Sequence, residues 1–399
     1  MRSLNDTLGQ LLEHAEGCGL PAGESVPLFS ALGKVLAHPV HSPIDVPAYD
    51  NSQMDGYAGV ALEMNNALEP LVVSQRIAAG HAGTALTPGT VARIFTGAPI
   101  PLGANAVIMQ EQAVVGEDGR VRFTEPAAPG QNIRPRAGDL SIGQMILDRG
   151  VRLKPADLAL CASVGLDRVS VRRPLTVAVF SSGDELRQPG EPLAHGQIYD
   201  SNRPMILSMV AELGFRVIDM GCLPDQLEVT KAQLAKASES ADVILTCGGV
   251  SVGEEDHIKA AIGALGTLAL WKVAMKPGKP FAFGTVGGAT FMGMPGNPVA
   301  AWATFSLLVR PYLLARMGAD ASAPRRLRVP AAFDWPTPDA RQEFLRGRLN
   351  AHGAAEIHDR QNSAVLSSVI ESDGLVEIPA STPIRRGEFV GFIPYTFLL

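Results

Sequence analysis

Four short stretches carry residue types able to act on a charged ligand: SSGDEL at 181–186, TCGGVSVGEEDH at 246–257, KPGKP at 276–280 and MPGNP at 294–298. The spacing Gly248-x-x-x-x-Gly253 is that of a phosphate-cradling loop, yet Glu254 stands where such a loop places a lysine. Either this is an ordinary strand-to-helix turn, or its backbone amides meet phosphate while its acids hold another charge, such as a metal ion. Gly-rich backbone and helix N-termini suit phosphate. Lys276 and Lys279 suit an oxyanion, and Asp184, Glu185 and Asp256 suit a hard divalent cation. Each loop alone is weak evidence, since a glycine pair after a strand is commonly a turn and Asn297 in PGNP is a good helix cap. Four of them at one sheet edge point to a phosphorylated ligand handled with a metal.

The elements that bring those loops together are legible from residue 175 onward. The apolar runs LTVAVFSSG, FRVIDMG and DVILTCGG alternate with helical segments at 203–213, 227–239 and 254–265. LALWKVAM, FAFGTV and ATFMGM follow as further strands, and a long helix starts at Pro298. This alternation predicts a doubly wound, largely parallel sheet covered on both faces, with ligands at the carboxyl ends of its strands. All four stretches fall at such ends. The expected fold class is therefore α/β and β multidomain, in four parts. Residues 1–44 plus 140–174 form an N-terminal linker and helical lobe, with Asn5 or Asp6 capping a first helix, a second over Phe29–Ala37 and a third over Pro155–Val164. Residues 45–139, full of short Gly- and Pro-bounded apolar runs, form a β-rich lobe. Residues 175–325 are the α/β domain, and 326–399 a small β-barrel-like domain without a helix.

Composition narrows the function classes. The chain has 399 residues, 46% of them hydrophobic, and a net charge of -6. Its Lys and Arg are scattered without long basic runs, which excludes a general nucleic-acid surface. The most apolar long stretch, Val299–Met317, is interrupted by Arg310 and Pro311, and reads as a buried helix and not a membrane span. Cys18, Cys161, Cys222 and Cys247 form no C-x-x-C pair, so neither zinc nor a disulfide framework is indicated, and a cytoplasmic location is expected. Cys247 reads as an inert thiol at an apolar strand end, and His257 as an exposed helix-face residue outside the site.

Seven motifs in order, DVPAYDNSQMDGYA, TGAPIP, SGDEL, GQIYDSN, TCGGVSVGEEDHIK, KPGKPFAFG and MPGNPVAA, make the chain resemble the molybdopterin molybdenumtransferase family, related to the E domain of gephyrin. The resemblance spans essentially the whole chain and is loosest at the C-terminus. It implies an elongated homodimer of four-lobed subunits, and the conversion of molybdate and adenylated molybdopterin to molybdenum cofactor and AMP with Mg²⁺. It implies as partners the adenylyltransferase that supplies the substrate and the molybdoenzymes that accept the product. By the same resemblance the catalytic positions are Asp55, Thr96, Glu185, Asp225, Asp256, Lys276 and Lys279, with Glu185 and Asp256 holding Mg²⁺ and the two lysines binding molybdate. Asp139, Gly248, Gly249, Ser251, Gly253, Pro295 and Pro298 serve substrate binding, and Arg346, Ser367 and Ser368 resemble anion contacts.

Two other classes fit parts of the chain. A molybdopterin adenylyltransferase needs only the α/β lobe, and the motifs DNSQMDGYA and TGAP weigh against it. A carrier or scaffold without turnover does not require the acids and lysines, all of which are present.

Overall fold

The structure, a computed structural model, describes residues 1–249, 257–319 and 324–398. Its first helix, Leu4–Gly17, buries Leu4, Leu8, Leu11 and Ala15 at helical spacing. The cap is Ser3 and not Asn5 or Asp6: Ser3 Oγ accepts from the Asp6 N–H at 3.0 Å. The helix expected over Phe29–Ala37 does not form. Leu28–Ser30 makes a single 3₁₀ turn, and Val35 and Leu36 bridge instead to Arg152 and Val171. Extended pairing with distant backbone overrides the local propensity there. The strand Gly23–Pro27 pairs antiparallel with Arg168–Arg172, so the chain does return to its first lobe after the helix Pro155–Ser163. Between them lies a four-stranded sheet in the order Val72–Ile77, Thr90–Ile94, Gly56–Gly59 and Ala106–Met109.

The α/β lobe runs β1 (Thr176–Ser182), α1 (Asn202–Glu212), β2 (Arg216–Leu223), α2 (Leu227–Ser240), β3 (Val243–Cys247), α3 (His257–Leu265), β4 (Gly266–Lys272), β5 (Pro280–Val286), β6 (Ala289–Met294) and α4 (Pro298–Arg316). The sheet order is β2-β1-β3-β6-β5-β4. β2, β1, β3 and β6 are mutually parallel, while β5 is antiparallel to both its neighbours. Two reversals return β4 to the direction of β6, so the ends of β1, β3, β4 and β6 all reach one edge. That edge carries the four loops singled out above. Apolar side chains cover both faces, with Val177, Val179 and Leu245 in one core and Ala178, Phe180 and Ile244 in the other. α4 has the length and composition of a membrane span, but it is mostly buried inside the protein, as befits a core helix. A π-turn over Phe305–Val309 precedes Pro311 and accommodates its missing N–H.

The C-terminal sheet is built from Gln342–Leu349, Gly374–Ile378, Phe389–Pro394 and Leu327–Pro330. Two findings were not expected. Ser367–Ile370 forms one helical turn. Met275–Lys276, from the KPGKP stretch, adds a parallel strand beside Gln342–Leu349 and so ties the α/β lobe to this sheet.

Candidate functional site

At the carboxyl edge of the α/β sheet lies a cleft of about 850 Å³. The turn after β1 supplies Asp184 and Glu185, the turn after β2 supplies Asp225, and the end of β3 supplies Cys247, Gly248 and Gly249. The start of α4 contributes Asn297 and Pro298, and the C-terminal domain contributes Ala364. Two glycines are required by the geometry. Gly248 has φ 90° and lies where a Cβ would meet Ser182 O at 2.5 Å, and Gly183, at φ 148°, lies under the Glu185 carboxylate, whose Oε2 would be 2.6 Å from a Cβ. Glu185 is thereby folded across the strand end. His257 Nε2 stands 3.6 Å from Asp225 Oδ1, so this histidine, which the sequence reading left out, lines the cleft.

The floor is made by residues that sequence reasoning passed over. Asp200 is 1% exposed and accepts from the Arg203 N–H and Nε–H, each at 3.1 Å. Arg203 is itself buried and donates to Asp219 Oδ1 at 2.6 Å and to Gln188 Oε1. Asn202 donates from Nδ2 to Gly296 O at 2.6 Å, which leaves its buried Oδ1 without a partner. The buried hydroxyl of Ser181 faces the Cys222 thiol and holds it down against the effect of burial. Burial raises the Cys222 and Cys247 thiols above the ordinary thiol range, with Asp200 adding to the shift in both. Cys247 is thus the inert thiol expected. The motif GQIYDSN was the available signal for Asp200 and Asn202.

Of the predicted residues, the cleft brings together Glu185, Asp225, Gly248, Gly249 and Pro298. Pro295 is buried just behind the loop. Ser251, Gly253 and Asp256 lie outside the described residues. The two lysines part company. Lys276 Nζ sits 3.0 Å from Glu343 Oε1 and 3.4 Å from Asp339 Oδ2, so it neutralises carboxylates of the C-terminal domain. Lys279 is exposed and enters no ion pair among the described residues, and the neighbouring Pro280 lines the cleft.

Arg346 and Ser368 are 1% and 0% exposed. Arg346 donates to Ser368 Oγ, Arg360 O and Asn362 O. Burial and these bonds make Arg346 and Ser368 a brace for the loop, where the resemblance implied anion contacts. Ser363 of that loop accepts from Asn297 Nδ2 at 3.0 Å, and its carbonyl from the Val299 N–H. Asn297 therefore makes no side-chain cap and docks the C-terminal domain onto the start of α4. Ser367 is exposed on the single helical turn.

Asp55 and Thr96 form a second constellation, in the β-rich lobe. The Thr96 N–H and hydroxyl donate to Asp55 Oδ1 at 2.8 and 2.7 Å. These bonds, the backbone one foremost, hold the Asp55 carboxyl below the usual carboxylate range, with Arg93 nearby adding to the effect. Asp139 is exposed and donates its N–H to Val46 O. Among the described residues none from 45–139 lines the cleft.

A wider groove of about 1070 Å³ crosses the C-terminal domain. In its lining His358 pairs with Glu371 at 2.8 Å and Arg348 with Glu356 at 3.3 Å, and it holds no predicted residue. Among the described residues no three His, Cys, Asp or Glu side chains cluster to hold a metal by themselves. The rim carboxylates of Glu185 and Asp225 fit a hard cation that keeps most of its coordination for water and phosphate oxygens, as Mg²⁺ does.

Comparison with known proteins gives the same picture along the whole chain. Residues 2–165 match the family described as MoeA N-terminal region (domain I and II), residues 178–315 a probable molybdopterin binding domain, and residues 328–395 the MoeA C-terminal region (domain IV). The chain is 39% identical over 383 residues to a molybdopterin molybdenumtransferase of Haemophilus influenzae, covering 94% of this chain and 95% of that one. It is 36% identical over 368 residues to molybdopterin molybdenumtransferase 2 of Mycobacterium tuberculosis, covering 89% and 90%. A crystal structure of a molybdopterin biosynthesis protein from Pyrococcus horikoshii OT3 superposes with a TM-score of 0.84 at 30% identity, covering 99% of this chain and all of that one.

Proposed function

The chain belongs to the molybdopterin molybdenumtransferase family, enzymes of molybdenum cofactor biosynthesis, and from this premise we propose that its strand-end cleft binds adenylated molybdopterin and molybdate and releases AMP as molybdenum is inserted. The observation that carries the reading is the meeting of Glu185, Asp225 and the Gly248–Gly249 backbone in one cleft beside the start of α4. The Gly249 amide after β3 and the turn leading into α4 suit the pyrophosphate of the substrate. Glu185 would hold Mg²⁺, with Asp256 as the second ligand by family resemblance. When bound, Mg²⁺ supplies charge neutralisation on the phosphates and polarises phosphorus. Asp225, beside His257, orients donors of the substrate or water at the rim. Lys279 presents an exposed ammonium to molybdate, a small dianion. Arg346 acts through the loop it braces, keeping Ser363 against Asn297 and the cleft closed on that side.

Asp55 and Thr96 join the site from a second subunit. Their lobe contributes nothing to the described lining of the cleft, and an elongated homodimer can set one subunit's β-rich lobe against the other's sheet edge. The enzyme works in the cytoplasm, receiving adenylated molybdopterin from an adenylyltransferase and passing cofactor to molybdoenzymes.

The reading is tested by supplying two substrate sets. Adenylated molybdopterin, molybdate and Mg²⁺ should yield AMP in step with cofactor formed, whereas molybdopterin with Mg·ATP should yield no adenylated product. Adenylation from ATP, or AMP release that ignores molybdate, would assign the cleft to the neighbouring chemistry.

A further inference from the structure

The cleft has two chemically distinct parts. Its rim offers donors, the backbone amide of Gly249 and the turn of Gly296 and Asn297 leading into α4, together with carboxylates able to hold a cation. Its floor offers acceptors. Asp200 lines it with a carboxylate whose two oxygens each accept one bond from Arg203, leaving each oxygen a further lone pair. Asn202 lines it with a carbonyl oxygen that has no partner, its amide nitrogen being turned to Gly296 O. The buried hydroxyl of Ser181 lies in the same lining, beside the Cys222 thiol. Arg203 divides its guanidinium between Asp200 and Asp219, a half-exposed residue outside the lining, so the Asp200 carboxylate in the floor is only partly neutralised. Such a surface repels phosphate and favours a ligand edge that displays N–H groups.

We propose that this floor is the specificity site for the pterin half of the substrate, with Asp200 and Asn202 accepting from the amino-pyrimidinone N–H edge while the phosphates stay at the rim. The inference rests on the reading of the cleft as a molybdopterin site and adds which end of the ligand lies where. A pterin presents a 2-amino group and a ring N–H side by side, which matches a carboxylate next to an amide oxygen. Arg203 is a positioning residue: it orients the Asp200 carboxylate and is itself held by Asp219 and Gln188. A ligand with a carbonyl in place of the amino group sets acceptor against acceptor and is rejected.

The test uses the full-length protein and three probes: pterin, followed by its own fluorescence; lumazine, which has an oxo group where pterin has the amino group; and AMP. Wild type should bind pterin roughly tenfold or more tighter than lumazine, the discrimination expected of a charge-assisted hydrogen bond. Asp200→Asn and Asn202→Ala should each narrow that ratio to about threefold or less while AMP affinity stays within about twofold. Asp200→Asn removes the partner of a buried arginine and risks misfolding. Asn202→Ala removes only the contact to Gly296 and keeps the test decisive. Equal binding of lumazine and pterin by wild type overturns the proposal, as does a loss of AMP binding in the variants with pterin unaffected, which would place adenine on the floor. If wild type binds both pterin and AMP without discriminating lumazine, only the floor assignment falls. If it binds neither, the reading of the cleft falls with it.

Discussion

Replacing Lys276 should damage the fold more than the chemistry. Its ammonium is 3.0 Å from Glu343 Oε1, and Glu343 is 1% exposed, so Lys276→Ala leaves a buried carboxylate with only the more distant Arg341 as counter-charge. Breaking a fully buried pair costs about 3–5 kcal/mol, and an exposed pair about 0–1 kcal/mol. Lys276 is 45% exposed on its side chain, and Glu343 Oε2 keeps two donors, Trp335 Nε1 and the Asp339 N–H, both at 2.9 Å. The cost therefore falls between the limits, at about 1–3 kcal/mol. At roughly 2–4 °C per kcal/mol for a domain of this size, the melting transition should drop by several degrees. Thermal unfolding followed by circular dichroism reads the loss, and adding Glu343→Gln should restore most of it, because the buried charge is then gone as well. Molybdate affinity, titrated on the same preparations, should barely move, since two carboxylates already face the ammonium. A Lys276→Ala protein with unchanged stability and a tenfold or greater loss of molybdate affinity would refute this reasoning and return Lys276 to the site.

Mixing Asp55→Ala with Glu185→Ala protomers should recover activity above either variant alone if the site is built across a dimer; no recovery places both residues in one chain's site. Asp55 is held below its ordinary value of 3.8 by two bonds from Thr96, so its contribution to stability is present above that value and lost as pH falls through the lower folded one. Thr96→Val removes the hydroxyl bond and should move the Asp55 titration upward by NMR; an unmoved titration would deny the contact. Cys18 is exposed while Cys161 and Cys247 are buried, and burial raises the Cys161, Cys222 and Cys247 thiols. Iodoacetamide at pH 8 should therefore label Cys18 well ahead of the rest, and early labelling of Cys247 by peptide mapping would contradict its assignment as inert.

The α/β lobe was legible because runs such as Val177–Phe180 and Val243–Leu245 are apolar on both faces and alternate with helical spacing, a pattern that few other folds produce. The strand-end loops were legible for the same reason, as their place follows from the topology. What stayed hidden depends on contacts distant in the chain. Nothing local tells Lys276 from Lys279; the difference is Glu343, which reaches Lys276 only because Met275–Lys276 pairs with the C-terminal sheet. Arg346 looks like an anion contact until its loop is seen to wrap its guanidinium. Phe29–Ala37 has helical composition, but Val35 and Leu36 find partners in Arg152 and Val171. Asp200 stood in a motif that was noticed, while its role as an oriented buried carboxylate depends on Arg203 and Asp219.

The division of work across the cleft is tested most directly by titrating Mg²⁺ and molybdate separately against two variants while AMP release is followed. Glu185→Gln keeps the shape and removes a cation ligand, so apparent Mg²⁺ affinity should weaken by about tenfold with molybdate nearly unchanged. Lys279→Ala should do the reverse, with molybdate affinity falling roughly ten- to a hundredfold, as for one charge-assisted contact. Equal small shifts in both titrations for both variants would mean that these are solvated surface charges, and that the chemistry of this chain lies elsewhere.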